Sequence, residues 1–286
     1  MIVLTKFFLT NSFAGSMRTV LAILFVLATA PSSGAQSDLV FAVNEGVTYR
    51  TTPHETRERH RALAEAIGIA LKRYVRVEAV ADYSALRRGL EARRYDLAYV
   101  HPAHHSLRAV RDQNYRVLAV TRGYTDYRAH FLAKADGSIN KPEDVGGRNI
   151  VMPDGDSITA WMARATLRDI GLDPTKEALQ TTRYQDGIPF MLEQGFFEVG
   201  VTASIGVVKA WQSKGGRVVF GSKPVPIKHF IASPRVGPDD LSKIRQVILG
   251  LETAEGGRAL LDRIGIEGFE APNLKLLVEA GRWLGI

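Results

Sequence analysis

The sequence predicts an α/β fold of two lobes, each a mainly parallel sheet flanked by helices, joined by two hinge crossings. Three observations predict it. Short apolar runs alternate with segments of helical spacing, as in a parallel sheet with crossover helices. The alternation stops near the middle of the chain and starts again. Two short connecting stretches, at 121–127 and 222–228, mark where the chain passes between the two series. The boundaries this gives are 36–122 for the first lobe and 123–228 for the second, with 229–286 returning to the first lobe and ending in helices.

The first series opens with Leu39-Val40-Phe41-Ala42-Val43, an apolar run read as a buried strand. Glu55 to Tyr74 has helical spacing, with Leu63, Ile67, Ala70 and Leu71 on one face. Val75 to Val80 reads as the next strand. Asp82 is placed to cap a helix from Tyr83 to Arg93. Tyr95 to Val100 is a third strand, closed by His101-Pro102, and His104 to Asp112 and Tyr115 to Thr121 complete the series. The second series runs through strands at Arg128–Ala133, Ile150–Met152, Leu179–Thr182 and Phe197–Val201, with helices at Ser157–Gly171, Ile188–Gln194 and Ile205–Gln212. Strands at Arg217–Gly221 and His229–Ser233 and helices at Asp239–Leu251 and Gly256–Leu261 follow.

Residues 1–35 read as an export signal. Met17-Arg18 opens a segment whose apolar run from Val20 to Ala30 leads to the small residues Ser33-Gly34-Ala35, an A-x-A-like cleavage site. The run is shorter than the roughly 20 apolar residues a bilayer span needs. A start at Met17 gives a shorter, better-formed signal than one at Met1. The predicted location is therefore the periplasm; with no cysteine at the cleavage site a lipid anchor is not expected, and with none in the sequence there is no disulfide or thiol chemistry.

The chain carries 37 basic and 30 acidic residues, a net charge of +7. Lys6 and Arg18 are the only charges of the signal, which leaves +5 for the mature chain. The basic residues are dispersed among acids, as from Glu55 to Arg61, rather than forming a stripe interleaved with aromatics. That describes a solvated surface and argues against a nucleic-acid partner. No internal repeat appears, and a monomer is expected. Enzymes are disfavoured: there is no G-x-S-x-G elbow, P-loop, H-E-x-x-H or G-x-G-x-x-G. No cofactor is expected.

Asp156-Ser157-Ile158-Thr159 follows a strand and opens a helix. Helix starts leave backbone N–H groups unpaired at the positive end of the macrodipole, and hydroxyl side chains add donors. Ser157 and Thr159 are thus candidate anion ligands, although a serine here also serves as an ordinary N-cap. His101, His104 and His105 form H-P-A-H-H, a spacing compatible with metal. With no carboxylate or cysteine beside them in sequence, no metal site is assigned. His104 and His105 are read as solvated or capping residues.

Four stretches in order resemble the periplasmic phosphate/phosphite/phosphonate-binding proteins of ABC transporters. They are Tyr83-Ser84-Ala85-Leu86 with Tyr95-Asp96-Leu97-Ala98-Tyr99; Lys141-Pro142-Glu143-Asp144-Val145-Gly146-Gly147-Arg148; Asp156 to Thr159 with Gly171-Leu172-Asp173-Pro174; and Phe197-Glu198-Val199-Gly200-Val201. The resemblance covers about residues 38 to 250. It implies the type II periplasmic-binding fold and a small anionic ligand held in the cleft. The implied partner is an ABC permease or a membrane sensor kinase. A ferric or other metal binder on the same scaffold is a further alternative.

By the same resemblance Tyr49 lies in a ligand-touching loop, although an exposed loop tyrosine fits equally. His101 ends the third strand where such a cleft opens. Gln185 aligns with a polar contact of the family, commonly histidine, His229 aligns loosely with an acidic contact of phosphonate binders, and Ser204 lies just beyond the end of a strand. Ile158 and Ala160 replace a hydroxyl and a glycine of the family's denser Ser/Thr loop. Ile205 falls where phosphonate binders carry an acid for a substrate amino group. A plain oxyanion is therefore expected rather than an aminoalkyl phosphonate.

Overall fold

The computed structural model describes residues 37–46 and 51–286; the expected signal and Tyr49 lie outside these. The first half of the molecule is a six-stranded sheet in the order β11-β4-β10-β3-β1-β2. Its strands are β1 (Leu39–Asn44), β2 (Val75–Ala79), β3 (Leu97–Val100), β4 (Arg116–Thr121), β10 (His229–Ala232) and β11 (Phe269–Glu270). The second half is a five-stranded sheet in the order β7-β6-β8-β5-β9. It comprises β5 (His130–Ala133), β6 (Ile150–Pro153), β7 (Leu179–Thr182), β8 (Val199–Thr202) and β9 (Arg217–Gly221).

The parallel character expected from sequence holds for β1 with β2 and β3, and for β6 with β7 and β8. The strands that follow the crossovers run the other way. β5 is antiparallel to β8 and β9, and β10 is antiparallel to β3 and β4. Each enters its sheet from the opposite half rather than through a helix on the same sheet, so no right-handed βαβ unit constrains its direction. The two crossovers lie side by side: Tyr127 and Val225 form an isolated antiparallel bridge, and the Val225 amide donates to the Tyr127 carbonyl at 3.0 Å.

Local sequence accounts for the helices that frame the gap. Helix α1 (Pro53–Leu71) begins with a capping box, in which the Glu55 amide donates to Thr52 Oγ1 and the Thr52 amide to Glu55 Oε2. Its buried face is Leu63, Ala64, Ile67 and Leu71, packed on β1. Asp82 caps α2 (Tyr83–Glu91) as expected, accepting from the Ala85 amide at 2.7 Å. Helix α3 (Ala103–Gln113) follows β3, and α4 (Ile158–Asp169) follows β6. Helices α5 (Ile188–Glu193) and α6 (Ile205–Ser213) cover the other face of the second sheet, where Trp211 is buried against Leu132 and Val151. The remaining helices are α7 (Pro238–Gly250), α8 (Gly257–Ile264) and α9 (Leu274–Leu284).

The sequence pattern predicts no helix beyond residue 261, whereas α9 occupies Leu274–Leu284. Asn273 caps it, and Leu277, Ala280 and Leu284 are buried. It packs on both α3 of the first half and α4 of the second. Trp283 Nε1 donates to Asp169 Oδ2 at 2.8 Å, and Arg168 Nη2 donates to the Trp283 carbonyl at 2.9 Å. Among the described residues no helix is long and apolar enough to cross a membrane.

Candidate functional site

Strand β6 ends at Pro153, and Asp154-Gly155-Asp156 turns the chain into α4. The turn is held internally: the Asp156 amide donates to Asp154 Oδ1 at 2.9 Å, the Ser157 amide to the Asp154 carbonyl at 2.8 Å, and Arg164 Nη1 to the Gly155 carbonyl at 2.8 Å. Ser157 is the N-cap, accepting from the Ala160 amide at 3.2 Å. The amides of Ile158 and Thr159 meet no acceptor among the described residues. Ser157 and Thr159 are both buried. Two unpaired amides, a hydroxyl and the positive end of a helix of twelve residues therefore share one enclosed place.

This helix start faces the other half. Asp156, one residue before the cap, reaches across to α3, with its Oδ1 at 3.1 Å from His104 Nε2 and its Oδ2 at 3.5 Å from His105 Nε2. Arg87 Nη1 of α2 lies 3.7 Å from the same Oδ2, and Trp161 Nε1 donates to Oδ1 at 3.3 Å. His104 and His105 are buried rather than solvated, His104 stacking on Trp161 and His105 meeting Tyr83.

Tyr127, in the first crossover, gathers several of the expected residues. Its phenol hydrogen-bonds the Thr159 hydroxyl and the Gln185 side chain, and burial raises its pKa. Gln185 Oε1 accepts from Thr202 Oγ1 at 2.8 Å and from the Ala203 amide at 2.9 Å, so the side chain is held by the end of β8 and turns its amide nitrogen to Tyr127. The His101 ring meets the Tyr127 ring edge-on, with centroids 6.4 Å apart. Ser157, Thr159, Gln185 and His101 thus converge, with Tyr127 and Thr202 as members not singled out from sequence as oxyanion contacts. Their signal was positional: Thr202 ends a parallel strand, where α/β clefts bind ligands, and Tyr127 sits in a crossover.

Three of the expected residues have partners or surroundings of their own in the structure. Its place at the end of the third strand suits His101 to donate to an oxyanion or to sense its protonation. Its Nδ1 donates instead to the Ile227 carbonyl at 3.3 Å, and burial followed by the positive charge of Lys228 pushes its pKa to about 3. A neutral ring protonated at Nδ1 has only an acceptor at Nε2. His229 is fully buried in the middle of the first sheet, with Nδ1 at 2.6 Å from Ser106 Oγ and Nε2 donating to the Pro226 carbonyl at 3.1 Å. Both nitrogens are taken, and the residue braces α3 against β10. Ser204 is a half-exposed N-cap of α6, accepting from the Val207 amide at 3.4 Å, and Ile205 beside it is 54% exposed.

A cavity of about 520 Å³ opens between the halves. The first half contributes Glu45, Gly46 and Asp82, the second Asp154, Thr181 and Arg183. Gly46 has φ +92°, and a Cβ there would lie 2.6 Å from His101 Cδ2, so glycine is what lets the β1 loop close over the histidine. Glu45 Oε2 pairs with Arg59 Nη2 at 2.5 Å, and burial raises its pKa against the pull of Arg59 and Lys228. Lys228, in the second crossover, is buried with its ammonium 3.8 Å from the centre of the Tyr124 ring. Burial lowers its pKa to about 8, opposed by Glu45.

Comparison with known proteins decides the family. The profile described as "ABC transporter, phosphonate, periplasmic substrate-binding protein" matches residues 46–277. The chain belongs to this family. Its members are binding proteins of transporters, not enzymes, so the family agrees with the lack of catalytic motifs. Solved structures share the fold at low identity. XAC2383 from Xanthomonas citri, solved bound to ATP, superposes with a TM-score of 0.73 at 14% identity, covering 87% of this chain and 98% of that one. PhnD1 from Prochlorococcus marinus, in complex with methylphosphonate, gives 0.64 at 13% identity over 86% and 96% of the two chains. The binding component of an ABC phosphonate transporter from Pseudomonas aeruginosa gives 0.62 at 13% identity over 87% and 85%. No curated protein matches the chain in sequence. The two-sheet α/β architecture is that of the type II periplasmic-binding fold.

Proposed function

We propose that the chain is exported to the periplasm, closes its two halves over a phosphonate-class oxyanion and presents it to an ABC permease. The observation that carries this reading is the start of α4: the Ile158 and Thr159 amides and the Ser157 hydroxyl, enclosed with Thr159, Tyr127 and Gln185 and turned toward the first half. Each of these is a neutral donor, and neutral donors in a water-poor cleft bind an anion through charge-assisted hydrogen bonds without a counter-charge to desolvate. The paired crossovers at 122–129 and 222–228 serve as the hinge, and ligand bound to both halves shifts the population toward the closed form.

The substituent on the anion is read differently from the sequence expectation of a plain oxyanion. That expectation rested on Ile205, which faces solvent. Among the described residues, Glu45, Asp82 and Asp154 line the adjoining cavity with one basic residue, Arg183. The cavity suits a polar or amino-bearing substituent, so the proposed ligand class includes aminoalkyl phosphonates. Isothermal titration with phosphite, methylphosphonate and an aminoalkyl phosphonate tests both parts. The expected order has the aminoalkyl compound bound most tightly. Heat from phosphite alone would return the reading to a plain oxyanion, and heat from none of the three would refute it.

A further inference from the structure

Two adjacent histidines of α3 and one carboxylate of the second half come together across the gap. His104, His105 and Asp156 each offer a ligand atom, and these atoms lie within 4.8 Å of one another. We propose that they form a binding site for a divalent first-row metal ion, with zinc the best match, which fastens the two halves together.

Sequence alone argues against metal here, because no carboxylate or cysteine stands near the two histidines. Folding supplies the missing group from 51 residues beyond His105, in the turn that begins α4. Two imidazoles and a carboxylate are a donor set that zinc and its neighbours accept, with the remaining position left to water. Asp156 keeps 31% of its side chain exposed, which provides that position and a way in.

A second observation points the same way. A hydrogen bond from His104 Nε2 to Asp156 accounts for one nitrogen of the pair. Nδ1 of His104 and both ring nitrogens of His105 are buried and have no hydrogen-bond partner among the described residues. The His105 side chain is 1% exposed, and its Nε2 sits 3.5 Å from Asp156 Oδ2 without making a hydrogen bond. Leaving a buried polar group unpaired costs about 1–3 kcal/mol. Coordination through His105 would remove that cost.

Arg87 competes for Asp156 Oδ2 at 3.7 Å. Its side chain is 44% exposed and can turn into solvent without leaving a buried charge behind. The ion would then join α3 to the α4 turn directly. The contact differs from the oxyanion seat, whose donors are Ser157, the Ile158 and Thr159 amides, Thr159, Tyr127 and Gln185.

The test is calorimetric titration of zinc chloride into the untagged, chelator-treated chain without phosphonate, so that its outcome is independent of the oxyanion reading. One ion per chain is expected, and cobalt(II) should give the visible absorption of a low-coordinate nitrogen–oxygen site. His105→Gln and Asp156→Asn should each weaken zinc by more than the roughly 10- to 100-fold typical of losing an outer-shell partner. Thermal melts of the metal-free variants establish that both fold. Absence of stoichiometric binding would overturn the proposal, and so would zinc affinity unchanged in both folded variants.

Discussion

The first half brings ionisable groups to the gap: His101, His104 and His105, with Glu45 and Lys228 behind them. The second half and its crossover bring Ser157, Thr159, Gln185 and Tyr127, which are neutral at ordinary pH, with the charged Asp154, Asp156 and Arg183 around them. The histidines divide in the same way. His60, His101, His104, His105 and His229 are all buried in the first half, whereas the second half has only His130, which is partly buried. Burial lowers the pKa of each of those five, to about 4 for His60 and His229 and about 3 for His101 and His105. An anion seat built from hydroxyls and amides keeps its charge state as pH changes. The histidines that face it stay neutral only while the chain is folded, so their response to acid is read in stability.

The largest expected effect tests that division through stability. The histidines are neutral in the folded chain and protonate near 6.5 when unfolded. The unfolded state therefore binds more protons below that pH, and stability is lost as pH falls from about 6.5 toward 4. Thermal melts across this window should show the midpoint dropping before the carboxylates titrate. A constant midpoint down to pH 4 would show that the first half is not the acid-sensitive part.

The second effect concerns the seat. Ser157→Ala combined with Thr159→Val removes two hydroxyls, and each donor lost to a charged ligand costs about 1.5–3 kcal/mol. Methylphosphonate affinity should fall by that amount with little change in its pH dependence. Retained affinity would move the seat away from α4.

A third effect sharpens the role of Lys228. Its folded pKa, about 8, is below the 10.5 of an ordinary lysine. Between these values the unfolded chain holds the extra proton, so stability rises with pH from about 8 toward 10.5. Lys228→Met should flatten that rise in alkaline melts. A rise that persists in the variant belongs to other groups.

The smallest effect compares two helix starts inside the second half. Ser157 and Ser204 both cap a helix after a parallel strand, and both accept from the amide three residues on. Ser157 is buried and followed by buried Ile158; Ser204 is half-exposed and followed by exposed Ile205. Ser204→Ala should cost about 1 kcal/mol of stability and leave phosphonate affinity unchanged. A matching loss of affinity would make α6 part of the seat.

Much of the fold was legible because its signals are local. The apolar run of β1, the Asp82 and Ser157 caps and the crossover stretches depend on residues a few positions apart. The antiparallel entry of β5 and β10 was not legible, because strand direction there is fixed by a partner in the other half. Helix α9 escaped for a similar reason: its buried stripe of Leu277, Ala280 and Leu284 is matched by exposed Leu274, Leu276 and Val278, which blurs its periodicity.

By itself the sequence determined the alternation of strands and helices, the family resemblance and the helix cap at Ser157, since each is written in short-range pattern. Only the tertiary structure decided which polar groups have partners. It took both nitrogens of His229 and the one ring N–H of His101 for the protein's own carbonyls and hydroxyl, joined Thr159 and Gln185 through Tyr127, and set Asp156 against His104 and His105. Whether a buried donor is satisfied depends on atoms brought from distant parts of the chain, and residue order alone does not contain that distance.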